Sequence, residues 1–321
     1  MAVPTSAKVR FAVPKGSLQG DTVAFLSRAG YTLRGGERSY RPSIDDPGLQ
    51  VKILRPQEIP RLVADGSYDI GITGWDWVLE TGADVEVLAR LGYGRVRLVM
   101  AVPEQVAGGA DEVLRRFIEE RGVFRVSTEY LNLASRYLAS LPSYRELAGP
   151  EPPTVVTPWY VRPGSSRARL YLSFGATEAK PPEDADAVID NTATGITLQQ
   201  NGLRVVGEVL ESEAVLIANR GSLAGPAREK ILDVAAMLRG VVAAKERLHI
   251  FVNVDAGNLP RLLELLPALK GPTVAPLSTE GWYSVNTVVR KEDFIRLLPQ
   301  LRRLAQGLVV YEPRQVLLLG E

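Results

Sequence analysis

The sequence predicts an α/β protein with a mostly parallel sheet and a small α+β tail. Two observations carry this. Short β-branched runs alternate with amphipathic segments from Lys8 to Val102, which is the rhythm of βαβ units. From His249 the order becomes β-α-β-β-α-β, the ferredoxin-like pattern. The chain has 321 residues, more than one domain of ~100–200 residues needs.

The elements follow in order. Lys8–Val13 alternates and reads as a strand, and Pro14-Lys15-Gly16-Ser17 as a turn. Asp21 is a suitable N-cap for a helix to about Ala29, which Gly30 ends. Val51–Leu54 is a strand, Pro56–Ala64 a helix, Tyr68–Thr73 a strand, and Gly74 opens another helix. Arg95–Val102 is a strand ending at Pro103, where a second unit begins. That unit holds a helix at Asp111–Glu120, a strand at Phe124–Thr128 and a helix from about Leu133 to Leu141. Between Pro142 and Ser173 Pro and Gly cluster. The extended stretches Thr154–Val161 and Ala168–Phe174 flank Arg162–Ser166, which predicts an inserted hairpin with its tip there. Ala187–Asp190 is a strand with a helix after Gly195. Leu203–Val209 and Ala214–Ala218 are strands, and Pro226–Lys245 is a long helix.

Composition excludes several classes. Lys+Arg is 38 and Asp+Glu 37, a formal net charge of +1, so no basic field points to nucleic acid or an acidic membrane. There are no cysteines and one histidine, His249. Thiolate chemistry and Cys-based metal sites are therefore out, and a His-rich zinc site cannot be built. Met1–Lys8 lacks the apolar core of a secretory signal, and no run approaches the ~20 apolar residues of a membrane span. The expected compartment is the cytoplasm.

Three motifs carry chemistry. Asp190-Asn191-Thr192-Ala193-Thr194-Gly195-Ile196-Thr197-Leu198 follows an apolar strand. Backbone N–H groups and the Thr194 and Thr197 hydroxyls suit a phosphate there, and the Asp190 carboxylate suits paired ribose hydroxyls. The plain alternative is a Thr-rich turn. Lys15, on the first strand–helix turn, suits a phosphate or simply solvent. Gly71–Trp77 combines two glycines, Asp76 and two tryptophans, which suits a ligand or a packed helix start. Arg38, Arg41 and Arg55 are suited to phosphate. Asp45-Asp46 before Pro47-Gly48 reads as a turn, the run Glu183–Asp186 as a solvated cap, and His249 as structural.

Ordered stretches carry a resemblance: VRFAVPKGSL (Val9–Leu18), RSYRPSIDDP (Arg38–Pro47), LRPQEIP (Leu54–Pro60), DIGITGWDW (Asp69–Trp77) and STEYLNLASRY (Ser127–Tyr137). Glu80–Pro103, Gly175–Val206, Glu211–Arg220 and Gly271–Trp282 extend it. Together they resemble the ATP phosphoribosyltransferase family in its long form, whose tail is regulatory. The resemblance implies a bilobal, type II periplasmic-binding-protein-like core with the site between the lobes, plus a ferredoxin-like (ACT-like) domain. It places lobe I at residues 1–102 with a return segment 216–246, lobe II at 103–215 and the tail at 247–321.

The implied reaction joins adenine N1 of ATP to phosphoribosyl pyrophosphate, with Mg²⁺ as cofactor and no metal held by the protein alone. By resemblance, Lys15, Asp190 and Glu178 are catalytic, and Asp190 to Leu198 holds the phosphoribosyl group. Lys15, Gly16, Arg55, Asp76, Trp77 and Tyr130 meet ATP, and Asp255 and Thr273 meet histidine, the feedback inhibitor. A homo-oligomer, dimer to hexamer, is implied. The chain departs from the pattern at Asn191, where many phosphoribosyltransferases carry a second acid, at Ile196, where relatives have polar residues, and in the long Pro142–Leu172 segment. Those departures keep a second expectation open: a catalytically silent nucleotide- or histidine-sensing relative, or a solute-binding one.

Overall fold

The computed structural model describes residues 8–35, 39–267 and 271–317. Arg38 lies outside them. The first lobe is a five-stranded sheet in the order Leu49–Leu54, Val9–Pro14, Ile70–Gly74, Ala214–Ala218, Glu86–Arg90. Val9–Pro14 runs parallel to both its neighbours, and Ala214–Ala218 is antiparallel to both of its own. Every residue of Ala214–Ala218 is buried, because helices cover both sheet faces. Such strands read as continuous apolar runs. The helices Gln19–Arg28 and Arg228–Lys245 close one face around Phe25, Leu26, Val234 and Leu238. Ile59–Ala64 and Trp75–Thr81 close the other.

The second lobe is a seven-stranded sheet in the order Val161–Arg162, Pro153–Val156, Ser165–Leu172, Phe124–Thr128, Ala187–Thr192, Val96–Pro103, Leu203–Ser212. The chain thus crosses between sheets twice, after Glu86–Arg90 and at Glu213. The result is the bilobal core with a C-terminal α+β domain that the sequence led us to expect.

Two boundaries are corrected. Val96–Pro103 is not in lobe I. It pairs with Ala187–Thr192 on one side and Leu203–Ser212 on the other, so the first crossing falls just before residue 96 rather than at 102. The return begins at 214 rather than 216. Strand periodicity reports a buried strand but not which sheet it joins.

The inserted segment is also corrected. Its hairpin tip is Thr157–Tyr160, between Pro153–Val156 and Val161–Arg162, not Arg162–Ser166. The Thr157 hydroxyl accepts from Tyr160 N at 3.0 Å and fixes the turn. Ser165–Leu172 then runs parallel to Pro153–Val156. Gly164 sits where the chain crosses itself: a Cβ there would meet Pro152 O at 2.2 Å. A helix, Pro142–Ala148, occupies the start of the segment.

The tail sheet has the order Thr273–Pro276, Trp282–Arg290, Arg247–Asp255, Gly307–Tyr311, all antiparallel. Leu248, Ile250, Val252 and Val254 alternate onto one face and pack with Leu262, Leu297 and Leu301. His249, Phe251, Asn253 and Asp255 occupy the other. The tail is tied to lobe I: Val316 N donates to Gly240 O at 2.9 Å, and Gln315 Nε2 to Met237 O at 3.0 Å.

Candidate active site between the lobes

Lobe I brings its strand ends to the cleft. Lys15 follows Val9–Pro14 and is held by its backbone N–H on Leu54 O at 2.7 Å. Its Nζ donates to the Tyr40 hydroxyl at 2.8 Å and lies 4.4 Å from the ring centre. The hydrogen bond and charge of Lys15 pull the Tyr40 phenol below its usual range. Gly16 has φ +84° and starts the short turn Gly16–Leu18. Arg55, exposed at the end of Leu49–Leu54, lines a cleft of 570 Å³ with Gln57 and Trp77 of lobe I and Glu129 and Phe174 of lobe II. Arg41 is exposed.

Asp76 and Tyr130 do not face that cleft. Asp76 is 4% exposed and Tyr130 fully covered. The Tyr130 hydroxyl donates to Asp76 Oδ2 at 2.7 Å and accepts from Asn191 Nδ2 at 2.7 Å. Ser212, at the second crossing, donates to Asp76 Oδ1 at 2.6 Å and accepts Asp76 N at 3.0 Å. Trp77 stacks on Tyr130 with centroids 4.3 Å apart. The two residues expected at the nucleotide therefore form a buried joint between the lobes, and their polar atoms already have partners. Desolvation holds the Tyr130 phenol well above its usual value.

A second joint lies beside the first. Glu80, 8% exposed, accepts the backbone N–H groups of Asn132 and Leu133 at 2.8 Å each. A lobe I carboxylate thus caps the lobe II helix Leu131–Ser140. Burial raises its pKa.

The loop after Ala187–Thr192 is open to solvent at Ala193, Thr194, Ile196 and Thr197. Gly195 has φ +81°, a left-handed conformation that favours glycine. Its N–H donates to Thr192 Oγ1 at 2.8 Å. Leu198 anchors the following short helix on Val99, Ala101 and Val188. Ile196 is 55% exposed, so it offers the loop no polar group. Asp190 is half-buried. Burial, with the charges of Glu129 and Glu178, raises its pKa to about 6, against the opposing bond from Asn191 N at 2.7 Å. Glu178 projects from the turn Thr177–Ala179. Ala193 also borders a 430 Å³ cavity with Arg90, Arg95, Arg97, Ser212 and Glu213.

The structure thus gathers Asp76, Trp77, Tyr130 and Asn191 in one joint and places Glu178 within electrostatic reach of Asp190. Among the described residues, no hydrogen bond links Lys15 to Asp190 or Glu178. Sequence reasoning missed Ser212, Glu80, Gln57 and Tyr40. Ser212 lies 136 residues from its partner, and no local pattern reports such a pair.

Other motifs resolve plainly. Asp46 accepts Gly48 N at 2.9 Å, as a turn requires. The acidic run is corrected: Asp186 is not solvated but 2% exposed, paired with Arg125 at 2.9 Å and Arg121 at 3.0 Å. His249 packs on Phe251, centroids 4.5 Å apart. In the tail, Asp255 accepts Gly257 N, Asn258 N and Asn258 Nδ2 at 2.8–3.0 Å, while Thr273 is exposed on the edge strand. Asp255 pairs with Trp282 and Thr273 with Asn286. Four residues and two strand steps separate them, roughly 16 Å, so one protomer does not join them in a pocket.

These features define a class: a two-lobed α/β protein with a cleft lined by Arg55 from one lobe and Glu129 from the other, and an open Thr-Gly loop at a strand end of the second lobe. Comparison with known proteins narrows it. The family model for ATP phosphoribosyltransferase matches residues 55–240, and that for the "HisG, C-terminal domain" matches 244–314. The ATP phosphoribosyltransferase of Koribacter versatilis is 36% identical over 97% of this chain and 100% of its own. That of Desulforudis audaxviator is 36% identical over 97% and 99%. In three dimensions the chain is similar to an ATP phosphoribosyl transferase (HisG:HisZ) complex from Thermotoga maritima. The TM-score is 0.56 at 23% identity, covering 73% of this chain and 98% of that one, which speaks to the fold. The chain belongs to the ATP phosphoribosyltransferase family. Among the described residues no helix is long and apolar enough to cross a membrane.

Proposed function

We propose that the chain joins ATP to phosphoribosyl pyrophosphate through adenine N1 and releases pyrophosphate, the entry step of histidine synthesis. The observation that carries this reading is Asp190, half-buried at a strand end, adjoining the open Thr194–Thr197 loop and in reach of the Glu129 and Glu178 charges.

Adenine N1 has a lone pair, so no strong base is needed. The N1–C1 bond forms as the bond from C1 to the pyrophosphate oxygen breaks, and positive charge builds at C1. Catalysis then rests on alignment and electrostatics. Residues Asp190 to Leu198 hold the ribose 5-phosphate, with Asp190 on the ribose hydroxyls and Glu178 on the cleft wall. Lys15, Gly16 and Arg55 face phosphates across the cleft. Asp76 and Tyr130 act from behind, by fixing the lobes and the Asn191 amide, and Trp77, stacked on Tyr130, lines the cleft.

Among the described residues no group of three or more His, Cys, Asp and Glu is gathered to cage an ion. We read the metal as Mg²⁺ carried in by the substrates, because Mg²⁺ binds largely through phosphate oxygens and water. When bound it would neutralise charge on the departing pyrophosphate. For the tail we propose histidine sensing through Asp255 and Thr273. Their separation means a site using both needs two copies of the chain, which fits a homo-oligomer.

The test is incubation with ATP, phosphoribosyl pyrophosphate and Mg²⁺. An adduct absorbance and stoichiometric pyrophosphate are expected. Ligand capture by calorimetry with no turnover would favour the silent relative instead.

A further inference from the structure

The cleft has a wall that the family resemblance does not name. Phe174 follows the strand Ser165–Leu172, is 68% exposed, and lines the cleft opposite Arg55. Trp159, at the hairpin tip and 72% exposed, meets it edge-on with centroids 5.6 Å apart. Two large aromatic rings held together at a cleft mouth are apolar surface that a planar ligand covers well.

The facing wall, beside Arg55, holds an acceptor without a donor. Gln57 Nε2 donates to Glu129 Oε2 at 3.3 Å. Gln57 Oε1 is covered, yet it has no hydrogen-bond partner among the described residues. Glu129 Oε1 in turn accepts Gly175 N at 2.8 Å, the residue after Phe174. Orphaned amide oxygen and aromatic face are therefore parts of one structure. Buried acceptors are normally satisfied, and one that is not calls for an explanation.

We propose that these two facing walls, joined through Glu129, form the base subsite and select a 6-aminopurine. The purine lies on Phe174, backed by Trp159. A small turn of the Gln57 amide lets Oε1 accept from the exocyclic amine. The chemistry favours this division. N1 must keep its lone pair free to attack C1, so the base has to be held by its face and its amine. A 6-oxopurine would set oxygen against oxygen at Gln57. The proposal rests on ATP being a substrate.

Dissociation constants and steady-state kinetics with ATP and with purine riboside triphosphate test it; the latter keeps N1 but lacks the amine. Only the 6-amino adduct can shed a proton, so turnover differs for chemical reasons. The preference that tests Gln57 is therefore the ratio of dissociation constants, in which the wild type should favour ATP by about tenfold or more. Gln57→Leu should reduce that ratio to less than about threefold. Phe174→Ala should raise KM for both nucleotides by about tenfold, the scale of one aromatic–base stack, and leave KM for phosphoribosyl pyrophosphate unchanged. Both rings are exposed, so Phe174→Ala and Trp159→Ala leave the core intact. Quenching of Trp fluorescence by ATP, lost in Trp159→Phe, gives a readout independent of turnover. An active Phe174→Ala with unchanged KM for ATP, or a Gln57→Leu that keeps the wild-type ratio, overturns the subsite alone. A wild type that neither binds nor turns over ATP overturns the substrate reading with it.

Discussion

The Tyr130 hydroxyl accepts a hydrogen bond from the Asn191 side-chain amide at 2.7 Å, and the direction of that bond is set from its far end. The Asp76 carboxylate can only accept, and it takes Ser212 Oγ at 2.6 Å and Tyr130 Oη at 2.7 Å. The tyrosine proton is thereby committed inward, and burial keeps the phenol protonated. Only its lone pair faces residue 191, so that residue must donate. This explains an amide where other phosphoribosyltransferases carry an acid. Asn191→Asp should destabilise the protein by about 0.5–1.5 kcal/mol, the net worth of the one hydrogen bond lost. In a Tyr130→Phe background the same change should cost at least ~0.5 kcal/mol less. Urea unfolding of the four proteins measures this. Equal losses in both backgrounds would show the polarity argument to be wrong.

Asp190 gives a pH dependence with a definite sign. Its folded pKa, about 6, lies above the ordinary 3.8. Below pH 4 it is protonated folded or unfolded, and no penalty applies. Above pH 6 it is ionised in both states, and its burial penalty applies in full, at most about 3 kcal/mol at 1.36 per pK unit. Asp190→Asn should therefore be more stable than wild type at pH 8 and equal to it near pH 4. Wild-type turnover should rise as pH passes through about 6, because the ionised form is the acceptor for ribose hydroxyls. Thermal melts at the two pH values check the first claim, and a kcat/KM profile the second. A variant no more stable at pH 8 would contradict the burial argument.

Lys15 separates charge from scaffold. Its ammonium bonds only Tyr40 among the described residues, and Tyr40 is 55% exposed. Lys15→Ala should lower turnover at least ~10²-fold, about 2.7 kcal/mol, with little change in melting temperature. Tyr40→Phe removes the same bond without the charge and should leave turnover near wild type, because exposed pairs contribute little. Pyrophosphate release from both variants tests this. A near-normal Lys15→Ala would remove Lys15 from the reaction.

Much of this was legible in the residues. Ala214–Ala218 is a continuous apolar run, Lys8–Val13 alternates, and the alternation at Leu248, Ile250, Val252 and Val254 marks a sheet with one covered face. The open Thr-Gly turn after Ala187–Thr192 was legible because Thr192, Thr194, Gly195 and Thr197 cluster within six residues. What escaped depends on distance along the chain. Val96–Pro103 has the same composition whichever sheet it joins. Ser212 means nothing until Asp76 folds against it, and Asp186 resembles a surface acid until Arg121 and Arg125 close over it. The family resemblance put Asp76 and Tyr130 at the nucleotide; their burial in a joint between the lobes depends on partners that no local pattern announces.

Histidine sensing can be tested where structure and recognition come apart. Asp255 accepts three donors at the entry to Leu259–Leu265, and those bonds lower its pKa. Asp255→Ala therefore loses a helix-entry contact whether or not a ligand binds there, so it cannot decide the question alone. Thr273 is exposed on an edge strand, and Thr273→Ala removes a hydroxyl at little structural cost. If the tail senses histidine, Thr273→Ala should raise the inhibitory concentration about tenfold or more at unchanged melting temperature. Because roughly 16 Å separates the two residues in one protomer, inhibition should also weaken on dilution below the dissociation of the oligomer. Light scattering and initial rates over the same concentration series give both readings. Inhibition that ignores both Thr273→Ala and dilution would place the histidine effect elsewhere than in a site shared by two tails.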